Sequence, residues 1–336
     1  PWIPDETRAA HRFRLVELVL LDEGGAPAAS PGEWIEATGA ERIFRWQTNA
    51  DAQRLARTIA GRSIGIVLAG GGARAYAHIG VITALHEARI PIDFIGGTSM
   101  GAIIAAGVAL GWTDEELDAR VRDAFVRSNP LSDLRLPVVA MTLGRVVEER
   151  LKVHFADARI EEMRLPFFCV ATDLAAGRQH IYRSGLVREA LRASIALPGI
   201  LPPVVSGNEI LVDGAVLNNL PTDIMGGMHR GLTIGVDVAR SEMIRSEDFV
   251  SPPGFFGWIF RHGFKSPPPI VSLLMRTATI GIDPAAGRRG CDILITPELG
   301  DVDVRDWKAY EGAVHAGYDA TVKMLQEDTH LSQSGY

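Results

Sequence analysis

The sequence predicts an α/β fold in three layers (α/β/α), with a largely parallel central sheet covered by helices on both faces. From residue 63 to about 240, short apolar runs typical of strands alternate with longer segments of helical periodicity, and strands that alternate with helices usually pair in parallel. The chain has 336 residues and 47% hydrophobic content, which is enough to bury a large core. Disordered, collagen-like and disulfide-stapled classes are therefore excluded.

The first zone, residues 1–62, is predicted to be an arm or connector. It holds one strand, RLVELVLLDE, and then a stretch with the composition of a flexible linker, GGAPAASPGE. A short helix over NADAQRLARTIAG follows and ends at Gly61, because glycine is favoured just past a helix C-terminus.

The second zone, residues 63–240, carries most of the predicted sheet. The helix RAYAHIGVITALHEA has apolar residues at one-face spacing, a second helix covers 100–110, and Thr113 with Glu116 forms a capping box for a third. The predicted strands are SIGIVLAG, IDFIGG, FFCVATD, EILVD and LTIGVDV, with CDILITP as a further strand beyond residue 290.

The third zone, residues 241–336, begins with a segment rich in proline and aromatic residues, SPPGFFGWIFRHGFKSPPPI. Helices are predicted at 270–280 and 305–326. This zone is predicted to complete the domain that the second zone begins, so the connection at residue 240 separates two parts of one unit.

Composition limits the partners and the compartment. Asp and Glu outnumber Lys and Arg by 41 to 34, so the overall charge opposes nucleic-acid binding. Cys169 and Cys291 form neither a disulfide framework nor a zinc ribbon. The longest apolar run, 100–112, is shorter than the roughly 20 residues that span a membrane. We expect a cytoplasmic or peripherally membrane-associated protein.

The chain start also carries expectations. Residues 1–12 lack a basic region followed by an apolar one, so no signal peptide is expected. The chain does not begin with methionine, which indicates that it belongs to something longer.

A glycine-rich loop lies between the first core strand and its helix. Gly70, Gly71 and Gly72 can direct backbone N–H groups toward an anion at a helix N-terminus. The spacing Gly70-x-Gly72-x-x-Ala75 also satisfies the dinucleotide fingerprint, which requires an acid about 20 residues later at the end of the second strand. Asp93 lies at the start of that strand, so a dinucleotide site is disfavoured and no cofactor is expected.

A serine follows the second strand, in the pattern Gly97-Thr98-Ser99-Met100-Gly101. Gly-x-Ser-x-Gly between a strand and a helix is the nucleophile elbow, which exposes a serine hydroxyl at the sheet edge. The glycine loop one strand earlier is suitably placed for an oxyanion hole. The alternative is that the two glycines merely permit close packing of strand against helix.

A serine nucleophile needs a base. Nine histidines are present, and none has a local sequence signature of a catalytic base. Ser99, Asp213 and His315 could form a triad in the chain order of the α/β-hydrolases. However, too few strands are predicted before Ser99 for that fold. Asp213 ends the strand EILVD and is followed by Gly214 and Ala215, which places a carboxylate at the sheet edge where sites form. Asp-Gly is also an ordinary turn. Asp173, another strand-end carboxylate, is interpreted as structural.

Taken in order, the segments 70–74, 97–101 and 213–215 resemble the patatin-like phospholipases, over about residues 63 to 239. The stretches LVLLDEG, ADAQRLARTIAG, ATDLAAG, RASIALPGILPP and NNLP are similar to the bacterial and neuropathy target esterase branch. The resemblance implies a patatin-like fold whose catalytic core is 63–240. It also implies a serine acyl hydrolase that cleaves carboxylic ester bonds of phospholipids or lysophospholipids.

The resemblance further implies a Ser-Asp dyad without histidine, with Ser99 as nucleophile and Asp213 as base. Backbone N–H groups from Gly70 to Ala73 would stabilise the oxyanion, and Arg74 would hold the loop or add positive charge. Ala75 stands where the family often has glycine. In that branch cyclic-nucleotide-binding domains often precede the catalytic one, but no part of these 336 residues resembles one. The alternative function is a catalytically silent lipid-binding or regulatory module of the same fold.

Two further segments have features of ligand-binding sites, one for lipid and one for calcium. Residues 255–265 combine five aromatic side chains with Arg261, His262 and Lys265 and could contact lipid at a membrane surface, although such stripes usually pack on a core. An EF-hand loop starting at Asp301 needs glycine sixth and glutamate twelfth, where this chain has Asp306 and Gly312. No metal is expected.

Overall fold

The computed structural model describes residues 16–21, 30–40, 42–127, 130–134, 139–239, 283, 285–304 and 306–327. Within these ranges the strands are β1 (Glu17–Leu21), β2 (Arg42–Trp46), β3 (Ile64–Leu68), β4 (Phe94–Thr98), β5 (Phe167–Asp173), β6 (Arg178–Tyr182), β7 (Val204–Ser206), β8 (Glu209–Asp213), β9 (Leu232–Val236) and β10 (Ile293–Ile295). The α-helices are α1 (Pro31–Thr38), α2 (Asn49–Ile59), α3 (Ala77–Glu87), α4 (Met100–Leu110), α5 (Asp114–Val121), α6 (Arg145–Phe155), α7 (Val187–Ser194), α8 (Thr222–Gly226), α9 (Ala286–Arg289) and α10 (Tyr310–Glu327).

The central sheet has the strand order β10-β9-β3-β4-β5-β8-β7, with β6 also paired to β5. The strands from β10 to β5 pair in parallel, whereas β6 and β8 pair with β5, and β7 with β8, in antiparallel fashion. The predicted α/β class with a largely parallel sheet is confirmed.

Strand β5 has two different neighbours along one edge. Its first half pairs with β4 and its second half with β8, while β6 occupies the opposite edge. Thr98 at the end of β4 lies opposite Val170, and Asp213 at the end of β8 lies opposite Ala171. The carboxyl ends of β4 and β8 therefore meet head to head.

The core is built around the buried strands β3 and β4, in which all five residues of each are buried. Helix α4 is apolar almost all round and buried over 100–109, as expected for a helix enclosed by the sheet and its neighbours. Helix α10, the last helix of the described ranges, packs along α3. Among the helices in the described ranges, none is long and apolar enough to span a membrane.

The N-terminal zone contains more structure than predicted. Helix α1 begins at Pro31, inside the stretch interpreted as a flexible linker, and strand β2 was missed; β2 pairs in parallel with β1. The linker interpretation is wrong there because Ser30 and Glu33 form a capping box, a helix-start signal that the Gly/Ala/Pro/Ser composition masked.

This zone is docked onto the core. Phe44 of β2 meets Phe94 edge to face, with centroids 6.1 Å apart, and Arg57 of α2 pairs with buried Asp93 at 2.6 Å.

Two predicted helices begin differently from expectation. The helix after the glycine loop opens as a 3-10 turn over Gly72–Tyr76 before α3 begins. Helix α10 starts at Tyr310, five residues later than predicted. The helix predicted at 270–280 lies outside the described residues.

Candidate active site

Ser99 occupies a strained turn between β4 and α4. Its backbone has φ 55° and ψ −128°, a conformation that costs an L-residue about 1–3 kcal/mol. A methyl group on Gly97 or Gly101 would lie 2.3 Å or 2.4 Å from the carbonyl oxygen of Leu68 in β3. The two glycines of the motif are thus required because the elbow presses directly against the neighbouring strand.

The head-to-head meeting of β4 and β8 brings Ser99 to Asp213. The Ser99 hydroxyl Oγ donates a hydrogen bond of 2.6 Å to Oδ2 of Asp213. The second oxygen of that carboxylate, Oδ1, accepts from the N–H of Ala215 at 2.9 Å. The residues are 114 positions apart in sequence, and the pairing register on β5 joins them.

Asp213 is a buried acid that has no counter-charge among the described residues. It is 2% exposed, and burial raises its pKa to about 6 against the lowering effect of the hydrogen bonds from Ser99 and Ala215. Among the described residues, no lysine, arginine or histidine forms an ion pair with it. Such a carboxylate is ionised at neutral pH and basic enough to accept a proton from a hydroxyl.

The glycine loop next to Ser99 has two kinds of backbone N–H group. Three already donate to carbonyl oxygens: Gly70 to Asn219 at 3.3 Å, Ala73 to Val304 at 2.7 Å and Arg74 to Gly71 at 3.1 Å. Within the described part of the chain, the N–H groups of Gly71 and Gly72 have no protein acceptor. The predicted anion-binding stretch 70–74 therefore narrows to these two donors.

The side chain of Arg74 binds protein carbonyls. It is 6% exposed; Nε donates to Val238 at 2.8 Å, and Nη1 donates to Val302 at 2.9 Å and to Gly300 at 3.3 Å. Of the two roles expected for Arg74, these contacts favour holding the loop, because they tie it to the end of β9 and to residues 300–302.

Asn218 and Asn219, which are not among the predicted site residues, join the same elements. The Asn219 amide donates to the carbonyl oxygen of Gly70 at 3.2 Å, reciprocating the bond from the Gly70 N–H. The carbonyl oxygen of Asn218 accepts from the Thr98 hydroxyl at 2.9 Å. The stretch NNLP could have indicated these contacts. It follows Asp213 closely, so the chain that leaves β8 can return through it to the glycine loop.

The histidines of the described ranges are not partners of the Ser99–Asp213 pair. In the described ranges none hydrogen-bonds to Ser99 or Asp213. His315 is on the exposed side of α10, 3.2 Å from Asp319. His78 is fully buried, burial lowers its pKa to about 4, and its neutral ring lies 2.8 Å from the Ala69 carbonyl oxygen, to which Nε2–H donates.

Other candidates from the sequence are placed as follows. Asp173 accepts from the N–H groups of Ala175 and Ile210, so it supports the β5–β6 turn. The aromatic segment 255–265 lies outside the described residues, as does the histidine within it.

The chain is similar in sequence to several known proteins. Residues 66–225 match the family model of patatin-like phospholipases. An NTE family protein of Mycobacterium tuberculosis is 38% identical over 285 residues, which cover 82% of this chain and 49% of the relative. Patatin-like phospholipase domain-containing protein 6 of Homo sapiens is 37% identical over 211 residues, 60% of this chain and 15% of the relative.

A third relative, lysophospholipase nte1 of Aspergillus fumigatus, is 38% identical over 192 residues, 56% of this chain and 13% of the relative. The chain thus spans half or less of the length of these relatives. Among solved structures, VipD from Legionella pneumophila aligns with a TM-score of 0.47 and 15% identity, over 79% of this chain and 67% of that one.

Proposed function

The chain carries a domain of the patatin-like phospholipase family, similar to the NTE branch, and from this premise we propose that it is a serine acyl hydrolase. Its substrates are carboxylic esters of phospholipids or lysophospholipids. The observation that carries the proposal is the 2.6 Å hydrogen bond from the Ser99 hydroxyl to the buried, uncompensated carboxylate of Asp213.

In the first step Asp213 takes the proton of the Ser99 hydroxyl while Ser99 Oγ bonds to the carbonyl carbon of the ester. The π electron pair of the carbonyl moves to its oxygen, which becomes an oxyanion. The N–H groups of Gly71 and Gly72 are free to donate to that oxygen. Donors directed at developing charge are among the largest contributions to catalysis.

In the second step the bond between the carbonyl carbon and the alcohol oxygen breaks. The departing alkoxide takes the proton that Asp213 holds, which leaves an acyl-enzyme on Ser99. A water molecule then gives a proton to Asp213 and bonds to the acyl carbon. The bond to Ser99 Oγ breaks, Ser99 recovers its proton from Asp213, and the fatty acid leaves.

The substrate class is supported by the names of the relatives, a phospholipase domain protein and a lysophospholipase. Strain at Ser99 supports the nucleophile assignment, since strained non-glycine residues cluster at active sites. Contact with a lipid surface through 255–265 remains part of this proposal.

The test begins with covalent labelling. A fluorophosphonate should label the wild-type protein, and Ser99→Ala should not be labelled. His315→Ala should be labelled at the wild-type rate, because His315 is an exposed residue of α10 that pairs with Asp319. Labelling of Ser99→Ala, or loss of labelling in His315→Ala, would overturn the dyad.

Unlabelled wild-type protein and unlabelled Ser99→Ala are then offered a panel of lysophospholipids, diacyl phospholipids and a short-chain p-nitrophenyl ester. Release of fatty acid from at least one lipid is expected from wild type and not from Ser99→Ala. A protein that binds the lipids without labelling or releasing fatty acid would be the silent lipid-binding module instead.

A further inference from the structure

We infer that Ser194 is a positioning residue that holds the nucleophile in register with its base; this inference rests on the proposed function. Ser194 is the last residue of α7 and is 0% exposed. It lies in the stretch RASIALPGILPP, and the mechanism above gives it no role. Because its side chain is fully buried, we expect it to make no contact with substrate.

The Ser194 hydroxyl links two backbone groups. Its Oγ lies 2.6 Å from the carbonyl oxygen of Val170 and 3.0 Å from the backbone nitrogen of Ser99. Since a carbonyl can only accept and an amide can only donate, the hydroxyl donates its proton to Val170 and accepts from the Ser99 N–H. The hydroxyl therefore bridges the elbow to strand β5.

Val170 is the β5 residue at which the dyad is assembled. It lies opposite Thr98, which precedes the nucleophile, and next to Ala171, which lies opposite Asp213. A tie from the Ser99 backbone to Val170 therefore fixes the nucleophile relative to the strand that also positions the base. Gly214 approaches the same carbonyl so closely that a methyl group there would lie 2.3 Å away.

The strained backbone explains why such a tie is needed. Ser99, with φ 55°, follows β4 and is the N-cap of α4, so its carbonyl oxygen accepts from the helix but its N–H has no partner from regular structure. Asp213 and Ser194 supply the side-chain hydrogen bonds to Ser99 among the described residues. Without Ser194, the N–H loses its acceptor and the elbow can relax toward a less strained conformation.

The consequence is kinetic. The Ser99–Asp213 hydrogen bond at 2.6 Å tolerates little displacement, and misplacement of a reacting group by about 1 Å can cost about 100-fold in rate. Ser194 touches no substrate, so its loss should lower kcat and the labelling rate and leave KM nearly unchanged.

The experiment compares two truncations of buried serines. Ser63→Ala is the matched control, because Ser63 is also 0% exposed and its Oγ makes a 3.0 Å hydrogen bond to His229 Nδ1, but at the opposite edge of the sheet. The second-order rate of fluorophosphonate labelling, kcat and KM for a lysophospholipid, and the thermal unfolding midpoint are measured for each protein.

Ser194→Ala is expected to label about 10- to 100-fold more slowly than wild type with KM within about twofold, while Ser63→Ala labels at the wild-type rate. Ser194→Cys keeps a weak donor and acceptor at longer distance and should recover part of the lost rate. Ser194→Ala labelling as fast as wild type, both truncations slowing equally, or Ser194→Cys recovering nothing would each overturn the inference.

Two readouts keep the outcome decisive. If Ser194→Ala does not unfold cooperatively, Ser194→Cys alone is compared with wild type: slower labelling at a similar midpoint supports the positioning role, and an equal rate overturns it. A wild-type protein that does not label at all overturns the proposed function itself, which separates that failure from failure of the Ser194 role.

Discussion

The carboxyl and amino edges of the parallel sheet each hold a serine beside a titratable side chain. At the carboxyl edge, Ser99 bonds to Asp213 at 2.6 Å. At the amino edge, Ser63 bonds to His229 at 3.0 Å, and Asp93 is the residue before β4 as Ser63 is the residue before β3. A serine, a histidine and an aspartate thus gather at the edge where the proposed chemistry does not occur.

Compensation of charge distinguishes the two acids. Asp93 receives three hydrogen bonds from the guanidinium of Arg57, at 2.6 Å, 2.9 Å and 3.3 Å, and one from the N–H of Ile64 at 3.0 Å. Asp213 has only neutral partners, Ser99 and Ala215, among the described residues. An acid held by a cation is a poor base, while a buried acid without one is a better base.

The histidine is also fully occupied. Nδ1 of His229 accepts from the Gly231 N–H at 3.1 Å and from the Ser63 hydroxyl, and Nε2 lies 3.3 Å from the Thr233 hydroxyl. Burial lowers the pKa of His229, which keeps the ring neutral. The amino edge is a structural polar cluster, and the comparison teaches that free donors and uncompensated charge identify a site better than residue types do.

The largest difference between the two edges is expected when the proton-accepting side chain of each is replaced by asparagine. Asp213→Asn is expected to reduce ester hydrolysis by about 10²–10⁴-fold, the usual contribution of a general base, because the amide cannot take the Ser99 proton. His229→Asn retains an acceptor near the position of Nδ1 and should leave kcat within about twofold. The steady-state rate of hydrolysis of one ester is measured for both variants. Loss of activity in His229→Asn would contradict the expectation, because it would place a catalytic histidine at the amino edge.

Replacing an aspartate by asparagine should have opposite effects on stability at Asp93 and at Asp213. Asp93→Asn should lower the free energy of unfolding by about 3 kcal/mol, because Arg57 loses its buried partner. Asp213→Asn should raise it at pH 7, by at most about 3 kcal/mol, because an uncompensated buried charge is removed.

The sign for Asp213 follows from its raised pKa of about 6. An acid whose folded pKa lies above its unfolded value of about 3.9 binds more protons when folded, so wild-type stability is lost as the pH rises from about 4 through 6. The gain in Asp213→Asn should therefore vanish near pH 4. Urea unfolding at pH 4 and pH 7 measures it, and a gain that is equal at both would contradict the uncompensated charge.

Two glycines, Gly65 in β3 and Gly70 just after it, allow the same substitution to be tested at both edges. In Gly70→Ala the new methyl would lie 2.7 Å from Asn219 Oδ1 and 3.0 Å from Ser99 Cβ, so hydrolysis should fall about 10-fold or more through displacement of the nucleophile and the loop. In Gly65→Ala it would lie 2.4 Å from His229 Nε2 and 2.6 Å from Met225 Sδ.

Overpacking at Gly65 should therefore lower stability by about 1–3 kcal/mol and leave kcat unchanged in the folded fraction. Melting midpoints and kcat of both variants are compared. Equal loss of activity in the two would indicate that the sheet transmits any strain to the elbow.

The smallest expected effect is the pH dependence of the wild type. In the proposed mechanism Asp213 must be ionised to accept the Ser99 proton, and burial raises the pKa of Asp213 to about 6. Thus kcat/KM for a non-ionising ester should fall about tenfold per pH unit below that pKa and be flat above it, into the neutral range. A profile that follows an ordinary carboxylate pKa near 4 would contradict the buried environment.

Local features of this chain could be predicted from sequence because they depend on neighbours. The glycine loop after β3, the elbow at 97–101 and the strand end at Asp213 each have residue types that the local backbone requires, such as glycines where a methyl would meet Leu68. The capping box at Ser30 was equally local, and the linker composition obscured it.

The sequence by itself determined that an α/β sheet would carry a serine elbow and a strand-end acid at its carboxyl edge. The folded structure was needed to show that β8 meets β4 end to end along β5, that Asn219 and Ser194 tie the loops together, and that no histidine of the described ranges hydrogen-bonds to Ser99 or Asp213. The physical reason is that strand register and burial depend on contacts between residues about 100 positions apart. The spacing of residues along the chain does not encode these contacts.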